Sequence, residues 1–497
     1  MRYPEVSSQQ RRATPATNLL LALWLLAAIV AGWGILTFPP VKILAVVLGS
    51  VCIVLAAWKI EVATYCVGFF LVVLQEGDAT PGTFFTYMER LNHPNIPSLL
   101  EVLFAVIVAA FFLRCFILHD ERYSFSGLKI PLLIFFALFL LALATGVMSD
   151  TDSTFRKEDF KKFIFPVMMF VSAINILDTR EKITRLLQVM FWAMLVKTYL
   201  ADFYYLKGLG FEYGDSNVVF IESGDQTLVV TILVAGVALL AERKMDWKSL
   251  LCLVWALAPM MFALIFSYRR NAMWGALLSL GLLWLLSHRE KKVRLFKVLA
   301  SAGLGAFCLM ALAPVTGSST STGEFMKKRL TSVVDKDESS NTAHMNEWRV
   351  TLDDTLQHPL IGLGLGSIHS PVPEFEVINQ HTVHNALLML WMKMGLFALL
   401  LFLWCLYRYC RLGVTEALRR RDPLLAGLFA TVGLWVIALN VGPSWFYYRE
   451  SCLMALIMAA VARLATTGPQ PSLTTLSKVG IAPPGMARLT GRKKNGQ

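Results

Sequence analysis

Apolar runs of roughly 15 to 20 residues recur along almost the whole of this chain, and no other feature limits its fold so severely. Runs of that length and character cross a bilayer, some with tilt or local thinning. Fourteen can be read, at 19–37, 41–58, 60–74, 99–118, 130–148, 163–177, 186–203, 227–241, 250–266, 272–286, 298–312, 386–406, 424–439 and 451–464. The run at 163–177 is short and carries Pro166, and the pairs near Lys59 and Arg270 are the hardest to divide. With 56% of its 497 residues hydrophobic, the chain has more apolar surface than a soluble domain of this length needs. The expected architecture is all-α: a polytopic integral membrane protein of about 12–14 transmembrane helices with one large outer loop.

Orientation follows from Lys and Arg, which favour cytoplasmic loops. With the N-terminus in the cytoplasm and the runs alternating, inside segments hold 27 of the 46 Lys and Arg, outside segments 14, and the runs themselves five. The net charge of +12 then reflects topology plus a basic C-terminal tail. No basic face interleaves with aromatics outside the membrane, which argues against a nucleic-acid partner. The eight cysteines lie in or beside the apolar runs, which argues against disulfides and cysteine zinc sites. The run at 19–37 lacks a small-residue cleavage pattern and reads as a retained first helix.

The expected organisation is a cytoplasmic segment 1–18, transmembrane helices 19–314, a large outer loop 315–385, further transmembrane helices 386–465 and a disordered basic cytoplasmic tail 466–497. Within the loop, Gly317 to Gly323 is flexible in composition. An amphipathic helix is expected around Trp348, Leu352, Thr355 and Leu356, ended by His358-Pro359. No internal repeat of the transporter kind is visible.

Three features fall on the same outer side. Ser267-Tyr268-Arg269-Arg270-Asn271 is a tight turn with two guanidiniums at a membrane edge. Such charges snorkel to headgroups or bind something, and the arginine fork suits phosphate oxygens. The segment Pro359-Leu360-Ile361-Gly362-Leu363-Gly364-Leu365-Gly366 superficially resembles a dinucleotide loop, but no βαβ unit surrounds it. It reads better as a close-packed turn whose glycines, Gly362 and Gly364 among them, admit a helix or a substrate. Third, His381-Thr382-Val383-His384-Asn385 lies where the loop re-enters the membrane. If the segment is helical, His381 and His384 share a face. A metal pair lacks a third ligand of obvious spacing, and a histidine helix cap is the plain alternative. The sharper reading is a general base: imidazole titrates near ~6.5, suited to taking a proton from a sugar hydroxyl.

From Ser267 through Leu406 the sequence resembles the bacterial O-antigen ligase and polymerase family. The resemblance rests on Ser267-x-Arg269-Arg270, Trp348, His358-Pro359-Leu360-Ile361-Gly362-Leu363-Gly364, His384-Asn385-x-x-Leu388 and Gly395-Leu396, in that order around the loop. The first 200 or so residues match only in hydropathy. Two positions depart: His344 stands where the family often has Arg, and Lys393 where it often has an acid.

The resemblance implies a fold akin to polyprenyl-phosphate-dependent membrane glycosyltransferases. It also implies inverting, metal-independent and cofactor-free transfer of an undecaprenyl-pyrophosphate-linked glycan to lipid A core or a growing polysaccharide, at the periplasmic face of the inner membrane. His384 and Arg270 are then the expected catalytic residues, with Arg269, His381, Asn385, Arg349, Gly362 and Gly364 contacting substrate. The competing functions are glycan export or flipping, and a non-catalytic part of an assembly complex. Lys197 and Lys393 lie deepest in the runs with no obvious partner, most other charges in the runs lie near their ends, and the functional-looking charges crowd the outer rim; that favours interfacial chemistry over transport.

Overall fold

The structure is a computed structural model that describes residues 59–73, 99–117, 129–206, 211–213, 216–218, 223–242, 247–267, 269–312, 339–372, 381–441 and 448–467. The expected runs at 19–37 and 41–58, the stretch 315–338 of the loop, and nearly all of the tail lie outside them.

Helices carry almost all of the described chain. They are α1 (Ile60–Val73), α2 (Leu99–Phe112, extended by a π turn at Leu113–Ile117), α3 (Lys129–Met148), α4 (Ser153–Ile176), α5 (Arg180–Leu206), α6 (Ser223–Glu242), α7 (Trp247–Phe266), α8 (Arg270–Leu286), α9 (Arg289–Leu312), α10 (Ser339–Gln357), α11 (Ala386–Arg420), α12 (Pro423–Ala430), α13 (Val432–Val441) and α14 (Tyr448–Thr466). Between α5 and α6, Phe211–Tyr213 pairs antiparallel with Ser216–Val218, two short strands in an otherwise all-helical fold of the expected class. Helices suit a bilayer because each satisfies its own backbone hydrogen bonds. Among the described residues, four spans are long and apolar enough to cross one by length and composition: Lys129–Met148, Arg180–Phe203, Ala386–Arg420 and Pro423–Asn440. Only 17% of the α3 window is buried, and Ile130, Leu133, Leu140 and Met148 face outward as a lipid-facing helix would. The chain is a multi-pass membrane protein.

One large apolar core joins α1, α2, α4–α9 and α11–α14. A smaller one lies beneath the candidate site: Phe139 and Ala142 of α3, Phe163 of α4, Leu365, Val383, and Met389, Met392 and Ala398 of α11, with Trp348 of α10 packed against it.

Three helix boundaries differ from the apolar pattern. First, α4 begins at Ser153, ten residues before the apolar run, because Asp152 caps it by accepting from the Thr154 and Phe155 amides. Pro166 sits inside α4 without ending it. Second, α11 runs to Arg420 but is broken at Gly395 (φ 81°, ψ 174°). Third, the 424–439 run is divided into α12 and α13.

The glycine loop after α10 fills the break in α11. Leu396 N–H and Trp391 Nε1 donate to the Pro359 carbonyl, and Leu363 N–H donates to the Met392 carbonyl. Gly362 (φ 80°) has its α-carbon so near α11 that a Cβ there would lie 2.7 Å from the Gly395 nitrogen. Gly364 (φ 90°) passes equally close to Gly146 of α3, and Leu365 N–H donates to the Ala142 carbonyl. A side chain at these positive-φ positions would meet both a conformational penalty and backbone. The close approach expected of these glycines is therefore to two helices.

Candidate functional site

The residues at 381–385 are not helical, so His381 and His384 do not share a helix face; α11 starts at Ala386. Its cap is Asn385, whose side chain accepts from the Leu388 amide at 3.0 Å. That removes the cap reading for His384 and gives Asn385 a structural task. The two imidazoles enter different polar groups.

His384 meets Glu347 of α10. Its backbone N–H donates to Glu347 Oε2 at 3.1 Å, and its Nδ1 lies 3.1 Å from both carboxylate oxygens. A carboxylate can only accept, so Nδ1 carries the proton and Nε2 keeps its lone pair. The Glu347 side chain is fully buried, whereas that of His384 is 23% exposed: a sunken carboxylate orients an imidazole that still reaches solvent. His344, one turn before Glu347, brings Nδ1 to 3.7 Å from Oε2, and its ring centroid is 4.3 Å from that of His384. Burial pushes the Glu347 carboxyl up, but the neighbouring His344 and His384 imidazoles outweigh it and bring it down to about 2. His369, also fully buried, points Nε2 at Glu347 Oε1 across 3.9 Å. The ligand atoms of His344, Glu347 and His384 lie within 4.8 Å of one another, so the metal-competent group among the described residues contains His384 without His381.

His381 belongs to the second group. It is stacked on Phe155 (centroids 4.4 Å apart, planes at 12°) and sets Nε2 2.9 Å from Asp159 Oδ1. Asp159 Oδ2 accepts from Lys393 Nζ at 2.9 Å and from the Gly366 amide at 2.7 Å. Lys393 also donates to the Ser367 carbonyl. Burial raises the Asp159 carboxyl, yet the Lys393 charge and His381 hold it well below the usual carboxylate range. Burial, helped by the Lys393 charge, depresses His381. Lys393 therefore has a partner, contrary to the sequence reading, and ties α4, α11 and the glycine loop together. Lys197 has one too: it pairs with Asp225 at 2.6 Å and donates to the Val72 carbonyl, while Arg449 also bonds Asp225.

Arg269 is the N-cap of α8 and Arg270 opens its first turn, both half-buried, so both guanidiniums attach at the positive end of a helix dipole. The helix they begin packs along α13 and touches α11. Arg349 lies exposed on α10. A cavity of about 730 Å³ opens between α2, α3 and α4, walled by Val102, Ala105, Val106 and Ala109, and also lined by Arg156, Lys157 and the Lys161–Glu101 ion pair (2.8 Å).

Glu347, Asp159 and His369 were missed by sequence reasoning. The His344–Glu347 pair was visible as an i, i+3 couple on one helix face. Its meeting with His384, 37 residues on, needed the fold. No curated protein matches the chain. Residues 252–403, from α7 into α11, match the family model described as O-antigen ligase. That segment holds Arg269, Arg270, His344, Glu347, His369, His381, His384 and Lys393, so the part of the chain that carries the candidate residues is the part that is similar to the O-antigen ligase family.

Proposed function

We propose that this chain transfers a glycan from undecaprenyl pyrophosphate to a hydroxyl of lipid A core or of a growing polysaccharide, at the periplasmic face of the inner membrane. The observation that carries this reading is His384 with Nδ1–H held by a buried carboxylate and a side chain still open to solvent. Nε2 takes the acceptor proton as the acceptor oxygen attacks the anomeric carbon from the face opposite the leaving group. The bond to pyrophosphate breaks, its electron pair stays on the bridging oxygen, and configuration inverts. Arg269 and Arg270 hold that pyrophosphate by bidentate contacts, so no metal is needed for departure. Glu347 stabilises the imidazolium that forms, as the carboxylate of a catalytic triad does. The apolar cavity, with Arg156 and Lys157 beside the Lys161–Glu101 pair, suits a polyprenyl chain ending in phosphate.

Glycan export is the second reading, and the buried Lys197–Asp225–Arg449 group favours it, since transporters place paired charges among their helices. One experiment separates the two. Purified protein in proteoliposomes receives a polyprenyl-pyrophosphate glycan and an acceptor, and both glycosidic product and movement of donor across the bilayer are measured. A transferase forms product, and His384→Asn, which cannot take a proton at neutral pH, lowers the rate about 10²-fold or more. Donor crossing without product, or full transfer by His384→Asn, rejects the reading.

A further inference from the structure

We infer that His344, Glu347 and His384 form a binding site for a divalent transition metal of the zinc class, and that a metal seated there silences the transfer centre. The silencing rests on His384 being the base; the binding does not.

The donors are already gathered. His384 Nδ1 is 3.1 Å from the Glu347 carboxylate and His344 Nδ1 3.7 Å from it, with all three ligand atoms within 4.8 Å. Tetrahedral zinc with bonds of about 2.0–2.2 Å separates its ligands by roughly 3.3–3.5 Å, so small side-chain rotations suffice. His344 and Glu347 are one turn apart on α10, which fixes two ligands on one face without backbone movement. The carboxylate floor is fully buried while the two imidazoles are 24% and 23% exposed, which provides a path for an ion from solvent.

A second observation points to a cation at the same place. His369 lies 2.7 Å by Nδ1 from the Ser370 carbonyl, which can only accept, so Nδ1 carries that ring's proton. Its Nε2, the lone-pair atom of the neutral ring, then faces Glu347 Oε1 across 3.9 Å, buried and with no hydrogen-bond partner. Two acceptors aimed at one another in a dry interior repel, and a cation on the carboxylate relieves that repulsion. Imidazoles with a single carboxylate suit zinc, copper or nickel, whereas magnesium and calcium take oxygen shells.

The metal and the base exclude one another. In the metal-free site the proton is on His384 Nδ1 and Nε2 is the basic atom. A metal on Nδ1 needs that lone pair, so the ring proton sits on Nε2 and the acceptor's proton has nowhere to go. Occupancy therefore removes the base without moving any helix.

The test uses full-length protein in detergent, stripped with chelator and titrated with zinc alone while bound metal and transfer are followed together. Wild type binds one equivalent, His344→Ala and Glu347→Gln each weaken binding at least tenfold, and magnesium does not compete. Saturating zinc abolishes transfer, chelator restores it, and His344→Ala needs correspondingly more zinc for inhibition. His344→Gln, with its fold checked by gel filtration, serves if the alanine variant does not fold. No stoichiometric zinc, or wild-type affinity in the His344→Ala, Glu347→Gln double variant, overturns the site. Zinc bound through these residues with transfer unimpaired overturns the silencing alone, and the His384→Asn assay then decides separately whether His384 is the base.

Discussion

Replacing Lys393 by methionine removes the cation from a carboxylate with no route to water. Both side chains of the Asp159–Lys393 pair are fully buried, and their charged atoms are 2.9 Å apart. Deleting one partner of such a pair costs about 3–5 kcal/mol, because the surviving charge is left in a poor solvent. Asp159 would keep the Gly366 amide at 2.7 Å and His381 at 2.9 Å, which favours the low end, about 3 kcal/mol. Loss of the Lys393 bond to the Ser367 carbonyl adds about 1 kcal/mol. Roughly 4 kcal/mol is a large share of the ~5–15 kcal/mol that holds a typical domain together. Methionine fills nearly the same volume, so the loss is electrostatic rather than a cavity. The diagnostic is the double variant: Asp159→Asn in the Lys393→Met background removes the stranded charge, and the pair should be less destabilised than the two single losses added, by about 0.5–3 kcal/mol. The assay is reversible unfolding in mixed micelles for wild type, both singles and the double. A Lys393→Met loss under about 1 kcal/mol, or strict additivity in the double, would refute the claim that this ion pair joins α4 to α11.

Glu347→Gln keeps the shape beside His384 but not the charge that stabilises the imidazolium, so transfer should fall about 10²-fold or more with little change in donor affinity; an unchanged rate would remove Glu347 from the mechanism. Arg270→Ala should depress transfer about 10²- to 10³-fold with normal membrane insertion, and Arg270→Lys should rescue it only in part, because a point charge lacks the fork. Full activity in the Arg269→Ala, Arg270→Ala double variant would end the phosphate-clamp idea. Acidification should destabilise the protein through both groups around Asp159. The folded His381 is depressed, so its contribution is complete above its ordinary value of ~6.5 and is lost as pH falls through its folded value. Asp159 is depressed likewise, and its contribution is complete above ~4 and lost at still lower pH. Stability measured from pH 8 to 4 should fall on the acid side, and His381→Gln should flatten the limb below 6.5; a limb unchanged by that substitution contradicts the assignment.

Much of the helical frame was legible because lipid-facing and core-facing sides are both apolar, so a run of Leu, Ala and Phe marks a helix wherever it packs. Legibility failed where polarity and geometry part company. Residues 153–162 read as loop because they carry Arg156, Lys157, Glu158, Asp159, Lys161 and Lys162, yet they form the first turns of α4. Asp152 ahead of Ser153 was the available signal, a good N-cap residue before a helix-forming stretch. The break at Gly395 was hidden because apolar residues continue on both sides of it, and a positive φ leaves no trace in hydropathy. Of the candidate residues, His384 and the arginine turn were singled out from their expected place at a membrane boundary, and the structure adds Glu347 beside His384. Lys393 looked stranded because its partner lies in another helix, and Glu347 looked like one more acid on an amphipathic surface.

The interlock around the glycine loop also sets an order in time. Thr151 donates to the Leu365 carbonyl across 214 residues of sequence, and Asp159 receives the Gly366 amide across 207. At about 5–20 residues per second a ribosome needs roughly 10–40 s to make the second partner after the first. Throughout that interval α3 and α4 are in place while Asp159 lacks both Lys393 and the loop. Contacts of such long range close late. The candidate centre is thus among the last parts of the molecule to assemble, and a chain cut short before Gly366 leaves the Asp159 carboxylate without the Gly366 amide and the Lys393 ammonium.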